Sequence, residues 1–129
     1  MDFNEWKADV LRLAEKKGLK IWDDTLVRHW KGKFSVDDVL LSCEAGKRCM
    51  GNQEAVQTAK KCGCFYCLKI FDPREVEITQ WADGCFGIPF TALCPYCDID
   101  SVLPETPDYP ISQEFLERLH EVKFAAIVL

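Results

Sequence analysis

Cys64-Phe65-Tyr66-Cys67 and Cys94-Pro95-Tyr96-Cys97 repeat one design, two cysteines enclosing an aromatic dipeptide step, separated by residues 68–93. A Cys-x-x-Cys turn lets two thiolates converge on one ion while backbone amides point toward the sulfurs. Two such turns complete the tetrahedral four-sulfur shell that structural zinc prefers. Cys64, Cys67, Cys94 and Cys97 are therefore expected to hold one zinc ion. A closed shell of four thiolates leaves no open coordination position, so the metal is expected to hold structure rather than activate water. The competing reading is two redox or disulfide pairs, which needs a secreted setting or a thioredoxin-like strand-to-helix context around one pair. Neither is visible in the flanking residues.

The rest of the chain agrees with a metal-stapled intracellular protein. With 129 residues and 48% hydrophobic composition it can bury a compact core. The formal charge of −5, from 21 acidic and 16 basic residues, argues against binding through nucleic-acid phosphates and suits a basic protein partner better. Met1 is followed by Asp2, Asn4 and Glu5 with no basic start and apolar core, so no secretory signal is read. No apolar run approaches membrane-spanning length either. A cytoplasmic location is expected, and eight cysteines in a reducing compartment favour metal binding over disulfides.

Outward from the cysteine turns, the pattern is α+β. Residues 1–61 read as short helices. The first starts near Asn4, carries Trp6, Val10, Leu13 and Ala14 at helical spacing and stops at Gly18. The second is capped by Asp23 or Asp24, carries Leu26, Val27 and Trp30 and stops at Gly32. Ser35 with Asp38 resembles a capping box for a third, and Asn52 is a candidate cap for a fourth through Ala55, Val56 and Ala59. Trp6, Trp22 and Trp30 are expected to fill a small core, and His29 to lie at the surface. Residues 62–129 form the second region. Residues 68–71 alternate as a strand, and Asp72-Pro73-Arg74-Glu75 has the cap, proline and glutamate of a helix start, a helix expected to carry Val76, Ile78 and Trp81 to Asp83-Gly84. Residues 90–93 read as a strand feeding the second turn. Ser112 is a candidate cap for a last helix, with Ile111 stapled on Leu116, and apolar residues 124–129 read as a strand or docked tail.

From Cys62 onward the chain resembles a family of small bacterial cytoplasmic proteins that offers no established activity. The resemblance is carried by Cys62-Gly63-Cys64-Phe65-Tyr66-Cys67, the Asp72-Pro73 helix start ending at Trp81, Thr91-Ala92-Leu93-Cys94-Pro95-Tyr96-Cys97 with Ile99-Asp100-Ser101-Val102, and Tyr109-Pro110-Ile111 leading into Glu114-Phe115-Leu116. It covers about half the chain and implies a small zinc-ribbon or rubredoxin-like core with two cysteine knuckles and a C-terminal helix. Zinc knuckles often place glycine after each turn, where φ is positive. Leu68 and Asp98 stand there in this chain, and leucine tolerates that conformation poorly. The loop through Cys85 is longer than the family pattern, and residues 1–61 are not covered.

Cys43, Cys49, Cys62 and Cys85 are expected to be buried thiols, the alternative being a second metal site that recruits them or His29. No catalytic constellation accompanies them. His29 and His120 stand beside no cysteine, and no phosphate-cradling glycine loop, zinc-hydrolase motif or serine elbow occurs, so an enzyme is not expected. The leading reading is a zinc-stabilised protein-binding module that neutralises or regulates a basic partner, as an immunity protein does a toxin, with specificity expected in the helical first half. The second is a nucleic-acid-binding zinc ribbon in which Tyr66 and Tyr96 stack on bases and Lys60, Lys61 and Lys69 touch phosphate. The third is a thiol-dependent enzyme.

Overall fold

The computed structural model describes residues 1–77, 81–82 and 90–128; of residues 81–82 and 126–128 it describes the backbone. Among these are five α-helices and five short strands, an α+β arrangement. No helix among the described residues is long and apolar enough to cross a membrane. The chain divides into two compact units, residues 1–47 with 119–129, and residues 48–118.

The first unit is helical. Helix α1 spans Phe3–Lys16 and is capped by Asp2, whose carboxylate accepts the Glu5 amide at 2.9 Å, so the start lies two residues before the expected Asn4. It ends where Gly18 takes a φ of +69°, a left-handed stop that glycine adopts without a Cβ penalty. Helix α2 spans Asp23–Lys31 and helix α3 spans Val36–Arg48. The capping box expected for α3 is present, with Ser35 Oγ accepting the Asp38 amide at 3.2 Å and Asp38 accepting the Ser35 amide at 3.1 Å. Trp6, Val10, Leu26 and Val39 form the core, flanked by Phe3 and Trp30. The Trp6 and Trp30 rings lie 5.4 Å apart, and Trp6 Nε1 donates to the Phe34 carbonyl at 3.1 Å. Trp22 departs from expectation: it is 63% exposed, with Lys20 Nζ 4.3 Å from its ring.

Helix α2 turns Leu26 and Trp30 to the core as expected, but Val27 faces outward and His29 is buried to 4% exposure. The surface histidine read from sequence is thus a core group. Its ring spacing explains this: His29 lies three residues from Leu26 and packs edge-on to Phe34 at 5.8 Å. Nδ1 lies 2.8 Å from the Thr25 carbonyl, which can only accept, so Nδ1 carries the proton. Nε2 is then a buried lone pair without a hydrogen-bond partner. Burial holds the histidine below its ordinary value of 6.5, and nearby Lys123 adds to this against the opposing pull of the Thr25 carbonyl and Asp38. The unfolded chain therefore takes the proton first. Stability from neutral His29 is complete above about pH 6.5 and is lost as pH falls below it. Unfolding curves between pH 7.5 and 5.5 should show this loss, with a limiting slope of about one proton, and His29→Gln should flatten it.

The second unit is built on strand β1, Cys62–Cys64, which lies between β2, Ile70–Phe71, and β5, Val102–Pro104, in an antiparallel sheet ordered β2-β1-β5. Strands β3, Trp81–Ala82, and β4, Thr91–Ala92, form a second antiparallel pair. The alternation along β1 puts Cys62 and Cys64 into one core with Phe71, Val76, Ala92, Cys94, Val102 and Val56 of helix α4, Gln53–Thr58. Gly63 faces the other way, where helix α5, Gln113–Val128, begins. Ser112 Oγ accepts the Phe115 amide at 3.2 Å, as expected of a cap. A Cβ on Gly63 would lie 2.7 Å from Ile111 Cγ2 and 2.8 Å from Leu116 Cδ1, so only glycine lets the helix start seat on this strand. Gly63→Ala should lower unfolding stability by about 1–3 kcal/mol, read from denaturant midpoints.

Two expectations about elements are corrected here. The Asp72 start has its full capping box, yet it launches one 3-10 turn, Pro73–Glu75, instead of a helix. Val76 is extended and buried, and Trp81 pairs as a strand with Ala92. The cap chemistry was present, but Val76 packs in the core of the knuckle unit, and tertiary burial overrode the local signal. Ile78 and the proposed end at Asp83-Gly84 lie outside the described residues. The apolar residues 124–128 are neither strand nor tail, because α5 runs through them to Val128; Leu129 lies outside the described residues.

Candidate metal centre

Each cysteine turn is set by backbone hydrogen bonds that repeat from one to the other. The Cys64 amide donates to the Lys69 carbonyl at 2.9 Å and the Leu68 amide to the Cys64 carbonyl at 2.9 Å. In the second turn the Cys94 amide donates to Ile99 at 3.0 Å and the Asp98 amide to Cys94 at 2.9 Å. To close this loop the residue after the second cysteine must turn left-handed, and Leu68 and Asp98 do so with φ of 68° and 62°. The position where glycine was missed in the sequence therefore has the conformation that glycine would ease. For an L-residue this region costs about 1–2 kcal/mol, against about 0.5–1 kcal/mol of extra chain entropy for glycine. Leu68→Gly should raise stability by up to about 1 kcal/mol, and Asp98→Gly by less, since aspartate accepts this region more readily. Thermal melting of the two variants checks the order.

The four sulfurs converge. The Sγ atoms of Cys64, Cys67, Cys94 and Cys97 all lie within 4.8 Å of one another, and no other such group of His, Cys, Asp or Glu occurs among the described residues. Cys64 Sγ is 3.7 Å from Cys97 Sγ, and Cys67 Sγ is 3.6 Å from Cys94 Sγ. Both separations are well beyond the about 2.05 Å of a disulfide, and all four cysteines are free thiols. A tetrahedron with metal–sulfur bonds of about 2.3 Å has edges of about 3.8 Å, so the donor set and its spacing fit a four-thiolate metal site. The first cysteine of each turn is buried and the second half-buried.

Amides converge on the same sulfurs. The amides of Tyr66 and Cys67 hydrogen-bond to Cys64, that of Lys69 to Cys67, and those of Tyr96 and Cys97 to Cys94, the Tyr96 contact measuring 3.4 Å. Burial nevertheless pushes Cys64 upward and Cys94 up to about 11. Cys67 is the exception: burial raises it, but the Lys69 amide and the neighbouring thiols outweigh that and hold it below its ordinary value. Four converging thiolates, two of them buried, need a cation to coexist, and a bound cation reverses the burial penalty.

Among the described residues, the remaining cysteines stay apart from this cluster. Cys62 lies on the core side of β1 with its thiol pushed up to about 12, by burial first and then by Asp72. Cys49 is buried and Cys43 half-buried. Cys43, Cys49, Cys62 and His29 join no group of converging ligand atoms; Cys85 lies outside the described residues. Of the groups assigned to nucleic-acid contact, Lys61 sits 3.5 Å from Glu105, Lys69 lies 5.6 Å from the Tyr96 ring, and the Tyr96 hydroxyl donates to Glu75.

Asn52, read from the sequence as a helix cap, has another role. It stands at the start of α4 without capping it. Its side chain is buried and donates to the Val102 carbonyl at 2.9 Å and the Arg48 carbonyl at 3.1 Å, while its oxygen accepts the Ala92 amide at 3.0 Å. One side chain thereby ties β5 to β4, the strand that leads into Cys94. In comparisons with known proteins, no family model, no curated protein and no solved structure matches this chain.

Proposed function

We propose that this protein is a zinc-stabilised protein-binding module. In this reading Cys64, Cys67, Cys94 and Cys97 hold one zinc ion in a small zinc-ribbon-like core, in a cytoplasmic setting that keeps the thiols reduced. The observation that carries it is the convergence of four sulfurs at tetrahedral spacing, with no other ligand group beside them among the described residues. The ion would supply fixed positive charge and a cross-link; a shell of four thiolates leaves no position for substrate. That places function on surfaces, and the acidic balance favours a basic protein that this module neutralises or regulates. The family resemblance stated from residues 62–120 is consistent with such a core and adds no activity.

Capture from the native host tests the reading. The metal-loaded protein should retain a basic protein through stringent washing, the chelated protein should not, and co-expression should suppress the partner's activity. Retention of nuclease-sensitive material alone would favour the nucleic-acid reading, for which the two exposed tyrosines speak.

A further inference from the structure

The two knuckles present the same residue to solvent. Tyr66 and Tyr96 each precede the second cysteine of their turn, and they are 47% and 53% exposed. The sulfurs of Cys67 and Cys97 lie within 4.8 Å of each other, so both tyrosines leave the backbone beside the same sulfur cluster. The Tyr96 ring is held in place, its hydroxyl on Glu75 and its ring 6.0 Å from that of Phe71. Lys69 Nζ sits 5.6 Å from its centroid, so an ammonium group already uses this ring. Ile99, leaving the second turn, adds exposed apolar surface between the exposed carboxylates Asp98 and Asp100.

Charge shows what this surface attracts. Residues 48–118 carry eleven Asp and Glu against six Lys and Arg, whereas residues 1–47 with 119–129 carry ten of each, so the whole net charge of −5 resides in the knuckle unit. We infer that the knuckle face formed by Tyr66, Tyr96 and Ile99 is a docking surface for a cationic segment of a protein partner, with an arginine or lysine lying on the tyrosine rings and an apolar neighbour on Ile99. The inference rests on the protein-binding reading and shifts the contact from the helical first half, where it was expected, to the metal-bearing unit. Trp22, an exposed aromatic of the other unit, belongs to a charge-balanced unit. A phosphate backbone meets net repulsion at the knuckle unit, whereas guanidinium and ammonium groups gain both the ring face and the carboxylates.

The test is a titration of the zinc-loaded full chain, followed by amide NMR, with a synthetic peptide of alternating arginine and leucine. Controls are the same peptide with citrulline or glutamate in place of arginine, and a single-stranded oligonucleotide. The arginine peptide should give saturable shifts at Tyr66, Lys69, Tyr96, Asp98 and Ile99 that weaken with salt, the citrulline peptide should bind more weakly, and the glutamate peptide should not bind. A Tyr66→Leu, Tyr96→Leu double variant with unchanged zinc content should lose about tenfold in affinity. Tyr96→Phe, which keeps the ring, and Trp22→Leu should each retain it. Saturable binding that maps to residues 1–47, or that the double variant leaves intact, overturns this face and leaves the protein-binding reading standing. Equal binding of the citrulline peptide overturns the cationic occupant. Tighter binding of the oligonucleotide at the tyrosines overturns both the inference and the reading beneath it. No saturable shift with any probe overturns the face alone, because metal-dependent capture of a basic partner judges the broader reading separately.

Discussion

Strong chelation is expected to unfold residues 48–118. The two knuckles and the sheet they extend from share one small core with Val56 of α4, and Cys64 and Cys94 lie within it, completely buried. Without a cation the four sulfurs would not be cross-linked, and burial pushes Cys64 and Cys94 toward their neutral thiols. Metal binding contributes on the order of 10 kcal/mol to folding in small zinc modules, which exceeds the total stability of many domains of this size. Far-ultraviolet circular dichroism and amide exchange after chelation should report loss of the β1-centred sheet, with protection in α1 to α3 retained to a greater degree. Cys64→Ser and Cys94→Ser should each reproduce the chelated state at ordinary metal concentration.

The second large effect is expected at Asn52. Asn52→Leu removes two donors and one acceptor from a buried position and leaves the Val102 and Arg48 carbonyls and the Ala92 amide to find new partners. An orphaned buried polar group costs about 1–3 kcal/mol, and water can reach some of these positions, so a total loss of about 3–4 kcal/mol is expected. Asn52→Asp should also destabilise, because its carboxylate cannot donate to the Val102 and Arg48 carbonyls and is buried without a counter-charge. Denaturant unfolding of both variants with intact zinc content checks this. A loss below about 1 kcal/mol for Asn52→Leu would show that the side chain does not pin the strands.

The contrast between Asn52 and the cysteine turns shows what the sequence could convey. Cys64, Cys67, Cys94 and Cys97 act at short range within each turn and carry a spacing that few other structures need, so their convergence was legible. The Ser35–Asp38 box and the Ser112 cap were legible for the same reason, being closed by residues three apart. Asn52 bonds to strands about 40 and 50 residues away, and nothing local distinguishes that role from a helix cap. The Asp72 start failed in the opposite sense: its local chemistry formed as read, but the burial of Val76 and the pairing of Trp81 with Ala92 took the chain extended. His29 was read as a surface group because no second histidine stands near it in sequence, whereas the buried stripe of α2 passes through Leu26 and His29. Gly63 reads in sequence as a spacer between cysteines, and only the seating of Ile111 and Leu116 against it shows why a side chain is excluded.

Metal content decides the central claim most directly. Elemental analysis of the protein purified without added metal or chelator should give one zinc per chain, reduced to near zero in Cys94→Ser and unchanged when Cys43, Cys49, Cys62 and Cys85 are replaced together by serine or alanine in a folded variant. A metal-free wild-type chain whose melting is indifferent to added zinc and to chelation, or one whose zinc persists in Cys94→Ser, would contradict it.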